Sequence, residues 1–225
     1  MDSMYQQLMQ LPLFQGVSTE KITALVEKLP FHFLKYNNGE EIFAAHDQCT
    51  HIKFIVSGKA RLVMAFSHLR VSLHQTISSP HVLAAEYLFG RKTEYRYTAV
   101  ADGPCGILQL RKSDYIRMVE SDKVFLFNIL NYLSTGSQRS TALVLSISDG
   151  SVAERLAMLV ELLSMPGSTD LQLHYKQKDL CTVLGTQRTT LIATFDKLSD
   201  EEILDYDTNV MRVNDVQRLM ELIDK

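Results

Sequence analysis

The chain has 225 residues, 46% hydrophobic and 22% charged, which suits one large or two modest globular domains, each able to bury a core. Its formal charge of −3 gives no general attraction to nucleic acid, and no run of about 18 apolar residues marks a membrane span. The opening MDSMYQQLMQ lacks the basic-then-apolar order of a secretory signal, so a cytoplasmic protein with no membrane partner is expected.

The first periodic segment, LFQGVSTEKITALVEKL, predicts a helix capped by Ser18, with Ile22, Leu25, Val26 and Leu29 as its apolar stripe. From Phe31 to about Leu110 the pattern changes to short β-rich runs: FHFLKY, EEIFAA, HIKFIVSG, KARLVMAF, RVSLHQT, YRYTAVA and CGILQL. Turn residues such as NNGE, SSPH and DGP punctuate them, as in a sandwich or jelly roll. Next comes SDYIRMVESDKVFLFNILNYLSTGSQRSTALVLSIS, the longest helical pattern in the chain. Leu126, Leu130, Leu133, Ser137, Ser140, Val144 and Ile147 recur at steps of four and three, a seam close to a heptad repeat. Gly136 and the small hydroxyl residues in its middle weaken an isolated coiled coil but permit close approach.

SISDG then breaks the pattern at Gly150, and VAERLAMLVELLSM predicts a leucine-striped helix that stops at PGS. KDLCTVLGTQRTTLIATFDKL reads as two short amphipathic helices hinged at Gly185. EILDYDTNVMRV predicts a tight hairpin around Asp207, Thr208 and Asn209. Asn214 and Gln217 fit a capping box opening a last helix, whose buried face is Val216, Leu219, Met220 and Ile223. Helices followed by a small hairpin describe a winged helix-turn-helix.

The order of N-terminal helix, β-roll, seam helix and winged helix-turn-helix resembles the Crp/Fnr family of bacterial transcription regulators. The stretches that carry the resemblance are LPLFQGVS, NNGEEIFAAHDQCTHIKFIVSGKARL, AAEYLF, VAERLAMLVELL and KQKDLCTVLGTQRTTLIATFDKL, in that order. It implies an α+β fold: a cyclic-nucleotide-binding-like β-roll (jelly roll) sensor over 1–112, a dimerisation helix over 113–148 and a winged helix-turn-helix over 149–225.

A helix-turn-helix needs a small residue at Cys181, apolar ones at Leu180, Leu184 and Leu191, and a turn residue at Gly185, all of which are present. By the resemblance, the recognition helix runs from about Gln187 to Leu198, and Arg188 stands where the family places a base-reading arginine. A guanidinium forks onto guanine O6 and N7. Gln187, Thr189 and Thr190 would add base or phosphate contacts, and Lys176 and Lys178 suit the DNA backbone. Thr189 replaces an acidic residue common in the cyclic-AMP-responsive members, Thr194 stands where an apolar residue is usual, and Ala193 and Asp196 stand where further cations would help. A different operator preference and modest affinity are therefore expected.

For an effector, the family motif is Gly-Glu, a loop, then Arg followed by Ser or Thr. Here Ala85 replaces the glycine, Glu86 is present, and Arg96 falls one position late with Tyr97 after it. A shift of one residue along a strand turns the side chain to the other face. Ser140 and Thr141 match the hydroxyl pair that touches the base in cyclic-AMP-binding relatives. Glu86, Arg96, Ser140 and Thr141 are thus the candidate effector residues, for a small molecule in the roll other than cyclic AMP. His74 and His81 lie near the middle of the roll but read as ordinary strand or loop residues rather than haem ligands. Cys49, Cys105 and Cys181 have no CxxC spacing, and neither a metal site nor an enzyme motif stands out.

The expected function is a homodimeric DNA-binding regulator on a palindromic operator, with RNA polymerase the further partner of such a regulator. Residues 151–225 hold 8 Lys and Arg against 13 Asp and Glu, a net −5. That charge motivates the alternative of a ligand-binding or protein-interaction module with a vestigial DNA-binding head.

Overall fold

The computed structural model describes residues 2–66, 68–146 and 150–223. Its contacts divide into two compact units, Met1–Arg61 with Ile77–Gln138, and Leu62–Thr76 with Arg139–Lys225. In chain order come helix α1 (Asp2–Gln10), a 3-10 turn (Pro12–Phe14), α2 (Thr19–Lys28) and strands β1 (His32–Tyr36), β2 (Glu41–Phe43), β3 (His51–Ser57), β4 (Lys59–Ala65), β5 (Val71–Ser78) and β6 (His81–Leu83). There follow a second 3-10 turn (Ala85–Tyr87), β7 (Tyr97–Ala101), β8 (Cys105–Arg111), α3 (Lys112–Ser121), α4 (Lys123–Ser146) and α5 (Val152–Leu163). The chain ends with β9 (Thr169–Tyr175), α6 (Gln177–Leu184), α7 (Arg188–Asp200), β10 (Leu204–Tyr206), β11 (Val210–Val213) and α8 (Val216–Met220).

In the first unit the β-rich runs form antiparallel strands, one sheet in the order β1-β8-β3-β6 and a separate pairing of β2 with β7. Ile52, Phe54 and Ile55 of β3 are all fully buried, so both faces of that strand are covered. On the Phe54 face the cover is helical: Phe14 meets Phe54 edge-on at 5.5 Å and Phe125 of α4 at 5.8 Å. Ser18 caps α2, its hydroxyl accepting from the Lys21 N–H at 3.4 Å.

The helical pattern expected over 113–148 divides at Asp122, which is extended (φ −152°, ψ 130°). Its Oδ1 accepts from the Val124 N–H at 2.9 Å and its Oδ2 from Lys21 Nζ at 2.5 Å. A carboxylate that satisfies an orphan N–H at a helix start favours a new helix over continuation of the old one. Asn128 Nδ2 donates to the carbonyls of Leu13 and Gln15 at 3.2 and 2.9 Å, tying α4 to the 3-10 turn. Phe125 and Ile129 are buried, whereas Leu126, Phe127 and Leu130 are 40%, 60% and 49% exposed. Among the described residues, no helix is long and apolar enough to cross a membrane.

The second unit holds the strands β10-β11-β9-β5 in one antiparallel order, with the end of β4 beside β5. β9 was not expected, although Leu171, Leu173 and Tyr175 alternate with polar residues and are buried. It pairs with β5 through Val71↔Tyr175 and Leu73↔Leu173, so Val71 and Leu73 join a core that includes Leu156, Val160, Leu180, Leu191, Phe195, Leu204 and Met211. Gln75, 1% exposed, fastens the far end: its Nε2 donates to the Leu163 carbonyl at 2.9 Å and its Oε1 accepts from the Met165 N–H at 2.7 Å. α5 starts in a full capping box of Ser151 and Glu154. The cap of α8 is one residue later than expected: Asp215, not Asn214, accepts from the Arg218 N–H at 3.0 Å. Asn214 instead donates to Asp205 Oδ2 at 2.9 Å, and Val216 remains 37% exposed while Leu219 is fully buried.

Candidate nucleic-acid interface

The corner between α6 and α7 is made by Gly185, held at φ +57°, a conformation that a Cβ disfavours. The Thr186 N–H closes the end of α6 on the Cys181 carbonyl at 3.0 Å. An added Cβ at Gly185 would stand 3.4 Å from Arg155 Nη1, so the Arg155 side chain of α5 lies under the turn. Arg155 Nε is buried with no hydrogen-bond partner among the described residues, and sequence reasoning missed this residue.

α7 buries Leu191, Phe195 and Leu198 and leaves Gln187, Arg188, Thr189 and Thr190 exposed. Gln187 is its N-cap residue but makes no side-chain cap bond. Backbone N–H groups at the first turn therefore point outward at the positive end of the helix dipole. Lys176 and Lys178 are exposed at the start of α6, and Lys178, Gln187, Arg188 and Thr190 line one open groove. Of the departures on this helix, Thr194 and Asp196 are engaged within the protein. Thr194 Oγ1 donates to the Thr190 carbonyl at 2.8 Å, and Asp196 accepts from the Tyr206 hydroxyl of the hairpin. That bond holds the Tyr206 proton and raises its pKa. The hairpin is fixed further by Tyr175, whose hydroxyl donates to the Asp207 carbonyl at 3.0 Å, and by Phe195, whose ring lies 5.0 Å from Tyr206.

In the first unit, Ala84 takes a left-handed conformation (φ 55°) and leads into the 3-10 turn that carries Glu86. Glu86 is solvent-accessible, yet enough protein surrounds it that desolvation raises its carboxyl pKa. Arg96 is exposed between buried Tyr95 and Tyr97, so it turns to the face opposite those rings. Tyr95 stacks on Phe43 at 4.0 Å, and Tyr97 meets Phe43 at 5.3 Å and Tyr87 at 6.1 Å. Glu86 and Arg96 both act on the Tyr87 hydroxyl, which burial pushes up to about 12. The Tyr97 hydroxyl is fully buried and has no hydrogen-bond partner among the described residues. Desolvation and the Glu86 charge both raise the pKa of Tyr132, on α4.

Glu86 and Arg96 belong to the first unit, Ser140 and Thr141 to the second. Of the seam candidates, Leu126, Leu130, Ser137 and Ser140 are exposed and Leu133 half-buried; Val144 lies in α4, and Ile147 falls outside the described residues. His81 is held neutral by burial, its pKa lowered to about 4, and the His74 ring lies 4.0 Å from that of His174 of β9, tilted by 31°. Cys49 and Cys105 are buried, Cys181 is half-buried, and all three are free thiols. Among the described residues, no group of three His, Cys, Asp or Glu is placed to hold a metal ion.

Residues 33–122 match the family described as Cyclic nucleotide-binding domain, and residues 152–222 match the one described as Crp-like helix-turn-helix domain. Among solved structures, the chain is similar to the catabolite activator protein of Thermus thermophilus, with 20% identity over 95% of this chain and 98% of that one and a TM-score of 0.53. It is also similar to a CRP/FNR family transcriptional regulator from the same organism, with 18% identity over 86% of this chain and 99% of that one and a TM-score of 0.50. At these identities the likeness is one of fold. Comparison with curated proteins gave no match. A cyclic-nucleotide-binding domain followed by a Crp-like helix-turn-helix domain, on the fold described above, makes this chain a member of the Crp/Fnr family of transcription regulators.

Proposed function

We propose that the chain works in the cytoplasm as a homodimeric, sequence-specific DNA-binding regulator that responds to a small molecule in its β-roll. The observation that carries this reading is the first turn of α7: Gln187, Arg188, Thr189 and Thr190 are exposed together while Leu191 and Phe195 anchor the opposite side in the core. Arg188 reads a guanine edge in the major groove; Lys176 and Lys178 hold phosphates. The net −5 of residues 151–225 favours the second reading, a vestigial head. It counts for less because counterion release depends on where cations stand rather than on the sum of charge.

The effector is not a cyclic nucleotide of the usual kind. The resemblance calls for an inward Arg at the position of Tyr95, and Tyr95 is instead a buried ring stacked on Phe43. With Arg96 exposed on the other face, nothing of this strand pairs with a cyclic phosphate. The Glu86 carboxyl, already desolvated, favours a ligand that hydrogen-bonds without bringing a full negative charge beside it.

The test is Arg188→Ala. Binding to a palindromic duplex selected with the unsubstituted protein is expected to weaken by roughly 1–3 kcal/mol, with relaxed preference at one base pair per half-site. Fluorescence anisotropy on the selected duplex and on its single-base variants measures both; unchanged affinity and preference would remove Arg188 from this role.

A further inference from the structure

We propose that the connection between the end of β4 and the start of β5 is a working part of the DNA-binding surface, with Arg70, its last residue before β5, as a phosphate contact beside Lys176 and Lys178. This rests on the DNA-binding reading above and extends it to a residue far away in sequence.

Three observations carry it. The backbone of Arg70 is fixed at the start of α6: its N–H donates to Asp179 Oδ2 at 3.0 Å, and its carbonyl accepts from the Lys176 N–H at 2.8 Å. The strand that follows is locked into the same body by the ladder from Val71↔Tyr175 to Thr76↔Thr169, with Val71 and Leu73 buried. The guanidinium itself is exposed and forms no ion pair among the described residues; Arg70, His174 and Lys176 line one surface groove.

Charge supplies the reason such a residue matters. Residues 62–76 contain one arginine and neither aspartate nor glutamate, so this segment adds a cation to a body that has too few. The same contact sets the place of Asp179, the carboxylate nearest the two lysines in sequence: its Oδ2 is held on the Arg70 N–H, so its charge stands at a fixed position beside the cations. The two backbone bonds fix where the Arg70 side chain starts, while the side chain itself stays free to reach a phosphate.

The experiment is a salt titration of the full chain on the selected duplex and on random-sequence duplex, comparing Arg70→Gln, Arg70→Lys and Lys178→Gln. The fold is insulated from these changes because both anchoring bonds use the backbone of residue 70, and a thermal melt checks it. Arg70→Gln is expected to weaken both duplexes alike and to lower the slope of log affinity against log salt by about one, as Lys178→Gln does, while Arg70→Lys keeps the slope. An unchanged slope for Arg70→Gln beside a lowered one for Lys178→Gln would place the connection outside the footprint and overturn the proposal. Tighter binding by Arg70→Gln would overturn it too, marking the connection as an obstacle. If the unsubstituted chain binds no duplex even in dilute salt, the DNA-binding reading itself fails, and this inference with it.

Discussion

His81 shows how a single side chain makes stability depend on pH. Burial lowers its pKa from the ordinary 6.5 to about 4, so the folded chain keeps it neutral where the unfolded chain would take a proton. The sign follows. As pH falls below 6.5 the unfolded state gains protons that the folded state refuses, and stability drops until pH approaches about 4, where the folded form protonates too. The loss from this group is at most about 3 kcal/mol across that window. His81→Gln is therefore expected to flatten the fall in urea midpoint between those pH values, whatever it does to stability near neutrality. Identical slopes for the two proteins would show that His81 is not the group responsible. At the same scale, Asp196 is a residue whose role sequence position does not reveal: its carboxylate, on the reading helix, anchors the Tyr206 hydroxyl of the hairpin.

Among the elements, α4 carries three exposed large apolar side chains close together. Leu126, Phe127 and Leu130 lie 40–60% exposed within two helical turns, while Phe125 and Ile129 already fill the unit's own core. Large apolar side chains clustered on one helix mark a surface that another helix covers, and the heptad-like spacing favours a second copy of the same helix. Leu130→Asp is expected to turn a dimer into a monomer in sedimentation equilibrium and to weaken binding to a palindrome by at least tenfold; an unaltered dimer would move the seam elsewhere. Much of this element level was legible from spacing and cap chemistry. Ser18, Gly185 and the Asp207 turn stand where they were expected, because each is settled by its own neighbours. What local pattern does not settle went unread. Asp122 ends α3 because its side chain also reaches Lys21, a partner 101 residues away. β9 is a short alternating run whose assignment depends on its partners β5 and β11, and Arg70 meets α6 only through that pairing. In the roll, the displaced Arg96 was legible, whereas the stacking of Tyr95 on Phe43 was not, since ring geometry between distant strands leaves no mark on either strand's periodicity.

At the scale of the whole molecule, a net-negative chain binds a polyanion only by concentrating its cations. Lys178 and Arg188 line one groove and Arg70 and Lys176 another, and all four are exposed on or beside α6 and the first turn of α7. Two such surfaces, joined through α4, would reach half-sites about one DNA turn apart. The most direct measurement is the stoichiometry and salt dependence of the purified chain on duplex enriched from a random pool, by sedimentation velocity and anisotropy on the same samples. The expected result is an enriched palindrome, two chains per duplex, and affinity that falls steeply as salt rises. No enrichment, with no duplex binding even in dilute salt, would contradict it.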